Sequence, residues 1–169
     1  MSSTRVRTLV AVALVVVLAF ALTGCQLIAQ KAVEQATGVK VDKNGDSVTI
    51  TGKNGETASV AKGKVPDGWP TDVPVYTGTV TMGNKMDTGG KTAFLVTLET
   101  PDAPKAVADW YEQQLTSQGW TKTDRNDANA GGKDVSILVA EKGTQRVAVS
   151  ASTGEGKTVV TVNVGDKGQ

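Results

Sequence analysis

The sequence predicts an α+β fold: an antiparallel β-sheet with one main packed helix, preceded by a small β-meander. Three observations carry this. After residue 38 most apolar residues fall in short alternating runs, the period of a half-buried strand. One stretch, "PDAPKAVADWYEQQLTSQG" (101–119), has apolar residues at helical spacing instead. Asn-Gly and Gly-rich pairs punctuate the alternating runs and suit tight hairpins.

The chain has 169 residues, enough for one domain with appendages. Its 18 Lys and Arg and 17 Asp and Glu are scattered, without the basic stripe of a nucleic-acid binder. Histidine is absent and cysteine occurs once, so no intramolecular disulfide can form.

Residues 1–24 read as a leader outside the fold. Arg5 and Arg7 form a basic start, and Leu9–Leu22 is uninterrupted apolar sequence, the pattern of a secretory signal peptide. The competing reading is an uncleaved anchor helix, extended through Ala29 to reach the ~20 residues a span needs. The single cysteine favours the first. Leu22, Thr23 and Gly24 precede Cys25 in a pattern that resembles the lipobox of bacterial lipoproteins. The resemblance covers only this region. It implies that the Cys25 thiol takes a diacylglycerol and that cleavage follows before it, leaving the protein held by acyl chains on the extracytoplasmic face of the cell membrane. A thiol suits this role because its thiolate is a strong nucleophile. Two acyl chains anchor stably where one binds marginally, at ~0.8 kcal/mol per buried CH₂. Loss of residues 1–24 removes Arg5 and Arg7 and turns a net charge of +1 into −1.

Segment 25–38 is then a lipidated tether, in which Leu27, Ile28, Ala32, Val33 and Ala36 sit at roughly helical spacing; a short helix and a frayed linker both fit. Segment 39–61 is the meander. "KNG" occurs twice, at 43–45 and 53–55, and Val39/Val41, Val48/Ile50 and Ala58/Val60 alternate to give one apolar face. Three such strands cannot stand alone and should pack on something. Segment 62–78 carries Pro66, Pro70 and Pro74, which bar a helix or a central strand and imply an extended crossover pinned by Trp69 and Tyr76. Residues 79–165 form the α+β unit, and 166–169 a tail.

Within that unit Phe94, Val96 and Leu98 mark a strand. The helix follows over about 102–118, capped by Thr100 or Asp102 and stopped by Gly119; Ala103, Val107, Trp110, Tyr111, Gln114 and Leu115 form its apolar face. Further strands are expected near 120–124, 135–141, 145–151 and 158–164, with Val135/Ile137/Val139, Val147/Val149 and Val160/Val162/Val164 as their buried faces. The Asp- and Asn-rich stretch 124–134 reads as a loop.

"VPDGWPTDVPVYTGTV" followed by "FLVTLETPDAPKAVADWYEQQLTSQGW" is similar to small lipoproteins and secreted proteins of actinobacteria that have no assigned activity. The likeness covers most of 39–164 and implies the topology just given. It carries over no functional residue.

Several motifs are declined on physical grounds. "ASTGEGKT" (151–158) fits a Walker A pattern, but a strand follows where a phosphate-binding helix is required. "SVAK" (59–62) fits Ser-x-x-Lys, but a strand places Ser59 and Lys62 on opposite faces. "DKNGD" (42–46) lacks the order of a calcium loop. With no His and a lipidated thiol, no metal site, cofactor or catalytic residue is expected, and Asp109 and Glu112 read as solvent-facing. Trp69, Tyr76 and Trp110 are the candidate ligand or partner surface. The function expected is that of a non-enzymatic binding module at the cell envelope, touching an envelope protein or wall component. The alternative is a carrier lipoprotein that holds a small apolar or glycan ligand between helix and sheet.

Overall fold

The computed structural model describes Lys40–Asn44 and Ser47–Gly168, with side chains from Ser47 onward except Ala130. The lipobox residues Leu22, Thr23, Gly24 and Cys25, and the tether 26–38, lie outside the described residues. The elements are β1 (Lys40–Asn44), β2 (Ser47–Thr51), β3 (Thr57–Lys62), β4 (Thr79–Thr88), β5 (Lys91–Thr100), α1 (Pro104–Ser117), β6 (Thr121–Ala130), β7 (Lys133–Lys142), β8 (Gln145–Gly154) and β9 (Lys157–Asp166). All nine strands join one antiparallel sheet in the order β1-β2-β3-β4-β5-β9-β8-β7-β6. The last strand inserts between β5 and β8, so the chain closes its sheet from the inside. Among the described residues no helix is long and apolar enough to cross a membrane.

The α+β class and the helix packed on an antiparallel sheet stand as expected. The meander is present as β1–β3, but it does not precede the sheet as a separate small unit. β3 pairs with β4 from Thr57↔Asp87 to Lys62↔Met82, which makes the meander one wing of a continuous sheet. The pairing satisfies the backbone groups that an isolated β3 would leave open on one edge.

The core lies on the helix side of β5, β9, β8 and β7. Register aligns it in rows: Val96↔Val162↔Val149↔Leu138, and Leu98↔Val160↔Ala151↔Ser136. All eight of these side chains are buried. Val107, Ala108, Tyr111 and Leu115 of α1, which lies over β6–β8, are buried with them. Each fully buried Val or Leu contributes about 1.5–3 kcal/mol.

Two local expectations are corrected. The N-cap of α1 is Ala103, with no side-chain cap, because Pro104 occupies the first turn and starts the helix two residues beyond Asp102. Ala103 is therefore exposed, outside the apolar face. The stretch 124–134 is not a loop: β6 runs to Ala130, β7 begins at Lys133, and only Gly131–Gly132 turn, both at positive φ. Asp and Asn are compatible with this strand because β6 is the sheet's edge and needs little apolar surface. The stop at Gly119 holds. Gly119 N–H and Trp120 N–H return to the carbonyls of Thr116 and Leu115, 3.0 Å each, a Schellman closure that needs the glycine's positive φ. The Walker-like segment spans the β8–β9 hairpin.

Candidate functional site

The crossover 63–78 lies on the helix side of the sheet. Gly83 of β4 lets it approach: a Cβ there would sit 2.2 Å from the Lys64 carbonyl oxygen and 2.8 Å from Pro66. Val73 is buried in the core. Trp69 donates its indole N–H to the Val73 carbonyl at 2.7 Å and meets Phe94 edge-on at 5.9 Å between ring centres. Trp120 donates to the Asp72 carbonyl at 3.1 Å. Tyr76 packs edge-on against Trp110 at 4.9 Å, and Trp110 against Tyr111, also at 4.9 Å.

Of the three candidate surface aromatics, then, Tyr76 and Trp110 come together while Trp69 packs separately on Phe94. All three are half-buried and act as fasteners. The Tyr76 backbone N–H donates to the Tyr111 hydroxyl at 3.0 Å, and the Tyr76 hydroxyl donates to Asp102 at 2.8 Å. Burial pushes the Tyr111 hydroxyl up to about 12. Burial, and then the hydrogen bond to Asp102, raises Tyr76 above its ordinary value.

Folding also gathers charges that look scattered in sequence. Arg125 of β6, whose side chain is only 15% exposed, reaches Asp127 at 3.0 Å and Asp109 of α1 at 2.9 Å. Lys122 pairs with Glu112, and Lys105 with Asp109 at 2.8 Å. Asp109 and Glu112 therefore face β6 as well as solvent. They line, with Gln113 and Thr116, an open depression of about 450 Å³. Lys105, then Arg125, hold Asp109 below the usual carboxylate range; Arg125, then Ser136, do the same for Asp127. Burial opposes the charge of Arg125, but the two aspartates outweigh it. Each of these carboxylates is kept ionised, the reverse of what a general acid needs. Among the described residues no group of three His, Cys, Asp or Glu is placed to hold a metal ion.

The third feature lies on the opposite, back face. Register puts Val48↔Val60 and Ile50↔Ala58 there, continued by Met82 and Met86 of β4 and by Ala93 and Leu95 of β5. Val60 is 42% exposed, Met82 38% and Met86 55%. Asn84 lies among them, its Oδ1 without a partner among the described residues. The apolar face of the meander was visible in sequence through Val48, Ile50, Ala58 and Val60. The methionines that extend it, and the side it takes, were not.

A family model of START domain-like proteins matches residues 80–165, which run from β4 to β9. Comparisons with curated proteins and with solved structures give no match. The matched stretch is just over half of the 169 residues, and the chain belongs to the START domain-like family.

Proposed function

We propose that this chain is a lipoprotein anchored through Cys25 on the extracytoplasmic face of the cell membrane, and that its folded body is a non-enzymatic binding module. The observation that carries the module reading is the open apolar face of β2–β4. Monomeric proteins rarely leave such a contiguous face uncovered unless it meets a partner. The space between helix and sheet, by contrast, is filled by Val107, Ala108, Tyr111 and Leu115. The anchor rests on the Leu22–Cys25 pattern behind an apolar leader. The ion-paired state of Asp109, Glu112 and Asp127 supports a role without acid–base chemistry.

Membership of a START domain-like family favours a second reading, the small-ligand carrier, because that likeness points to a ligand-binding fold. Native mass spectrometry of protein extracted from its host membrane separates the two. The module appears free of small ligands or with a partner chain; a carrier appears with a bound molecule of defined mass. Intact mass tests the anchor: the mature chain starts at Cys25 and carries acyl mass. A Cys25→Ser chain that is processed and retained on membranes as before contradicts it.

A further inference from the structure

We infer that the back face of β2–β4 rests on an anionic bilayer surface. This names the partner of the proposed binding module and rests on that reading. Chemistry and charge point the same way. Val60, Met82 and Met86 project from adjacent strands with 38–55% of their surface exposed, and Val48, Ile50, Ala93 and Leu95 extend the apolar area at lower exposure. Exposed Lys62 and Lys91 belong to the same face by alternation. Among the described residues no carboxylate lies on the back of β2, β3 or β4, and Glu99 at the far end of β5 is paired with Lys157 at 3.0 Å. Acidic Asp87 is on the helix side, bonded to Thr57 and Thr92. An apolar surface edged by lysines and free of acids complements an interface of acyl chains beneath anionic headgroups. The chain's net charge near zero averages over both faces and hides this asymmetry. Position permits it: fourteen residues separate Cys25 from Lys40, at most about 45–50 Å fully extended, so an anchored chain holds the domain within reach of the membrane.

The test is photolabelling from the lipid. The full lipid-anchored chain is reconstituted in vesicles of phosphatidylcholine and phosphatidylglycerol carrying a diazirine-bearing phosphatidylcholine, and labelled peptides are mapped by mass spectrometry. Labels should concentrate on residues 57–62 and 82–88 and spare Pro104–Ser117. They should fall several-fold in vesicles without phosphatidylglycerol and in the Val60→Glu or Met86→Glu chain. Met86 is exposed enough for that substitution to leave the fold intact, which circular dichroism checks. Equal labelling of α1 and β2–β4 overturns the inference. So does chain-to-chain cross-linking through Met86, which would assign the face to a second copy. Flotation of wild-type against Cys25→Ser protein reads the anchor separately, so failure of the anchor and failure of the face give different results.

Discussion

The two wings of the sheet differ in which side is dry. In β5, β9, β8 and β7 the buried rows lie on the helix side, and behind them Asn163, Ser150 and Ser152 of β9 and β8 are flanked by Val135, Ile137 and Val139 of β7, of which Ile137 is 39% exposed. In β2–β4 the helix side carries Thr49 bonded to Ser59, Thr57 bonded to Asp87, and Lys85 paired with Asp87. The apolar residues take the back. Polarity inverts at β5, which is apolar on both sides: Phe94, Val96 and Leu98 in front, Ala93 and Leu95 behind. One wing uses its hydrophobic surface for folding. The other leaves it exposed, although the same hydrogen-bond ladder runs through both.

The strongest way to break this comparison is to place a charge on each wing. Val107→Asp puts an unpaired carboxylate into the closed wing and should cost about 3–5 kcal/mol, enough to unfold a domain of ordinary stability. Urea unfolding reads it, and a well-ordered variant means that α1 presents another face to the sheet. The closed wing also has an alkaline signature. Unfolded tyrosine ionises near pH 10 and folded Tyr111 near 12, so above pH 10 the native state keeps a proton that the unfolded chain has lost. Stability is complete below pH 10 and falls by about 2–3 kcal/mol as pH rises to 12. Tyr111→Phe should reduce that decline, leaving the share of Tyr76, and an unchanged slope in the variant contradicts the burial. Gly83→Ala sharpens the boundary between the wings. Its new Cβ meets the backbone of Lys64, which cannot swing aside, and the loss should be about 1–3 kcal/mol by thermal unfolding.

Two smaller effects complete the series. Asp127→Asn should cost under about 1 kcal/mol, as for exposed ion pairs. Because the folded carboxylate is held low, that difference exists above the unfolded value near 3.9 and vanishes as pH falls below it. Val60→Glu on the open wing should change stability by about 0.5 kcal/mol or less, measured beside Val107→Asp.

The ease of reading the sequence follows the same division. Strands with one dry side announce themselves: Val147/Val149, Val160/Val162/Val164 and the helix stripe of Val107, Tyr111 and Leu115 were all legible. β7 was read on the wrong side, because it is apolar on both: Ser136, Leu138 and Ala140 face the core, and Val135, Ile137 and Val139 lie behind them. β4 was not, because Gly83 and Lys85 interrupt one side and Asn84 the other. The second half of β6 was misread because Asp124, Asn126 and Asp127 favour turns locally, whereas here pairing with Ile137, Ser136 and Val139 of β7 holds them extended. The alternation of Val48/Ile50 and Ala58/Val60 showed that the meander had an apolar face, but period two does not say which side of the sheet it joins. That depends on the β3–β4 register, which brings together residues 20–30 apart in the chain. The ion network of Asp109, Glu112 and Arg125 was hidden for the same reason: helix and edge strand meet only after folding. The aromatics were legible as fasteners, since Trp69 and Tyr76 sit on a proline-rich segment with no ladder of its own.

The central claim is that the inversion at β5 leaves the back of β2–β4 open. Peroxide oxidation of Met82 and Met86, followed by mass spectrometry on the anchored chain, tests it most directly. On vesicles of phosphatidylcholine alone both methionines should oxidise readily, Met86 faster in keeping with its greater exposure, and adding phosphatidylglycerol should slow both several-fold. Slow oxidation of both on either vesicle would mean that the protein covers this face itself, and the division into a closed and an open wing would fail.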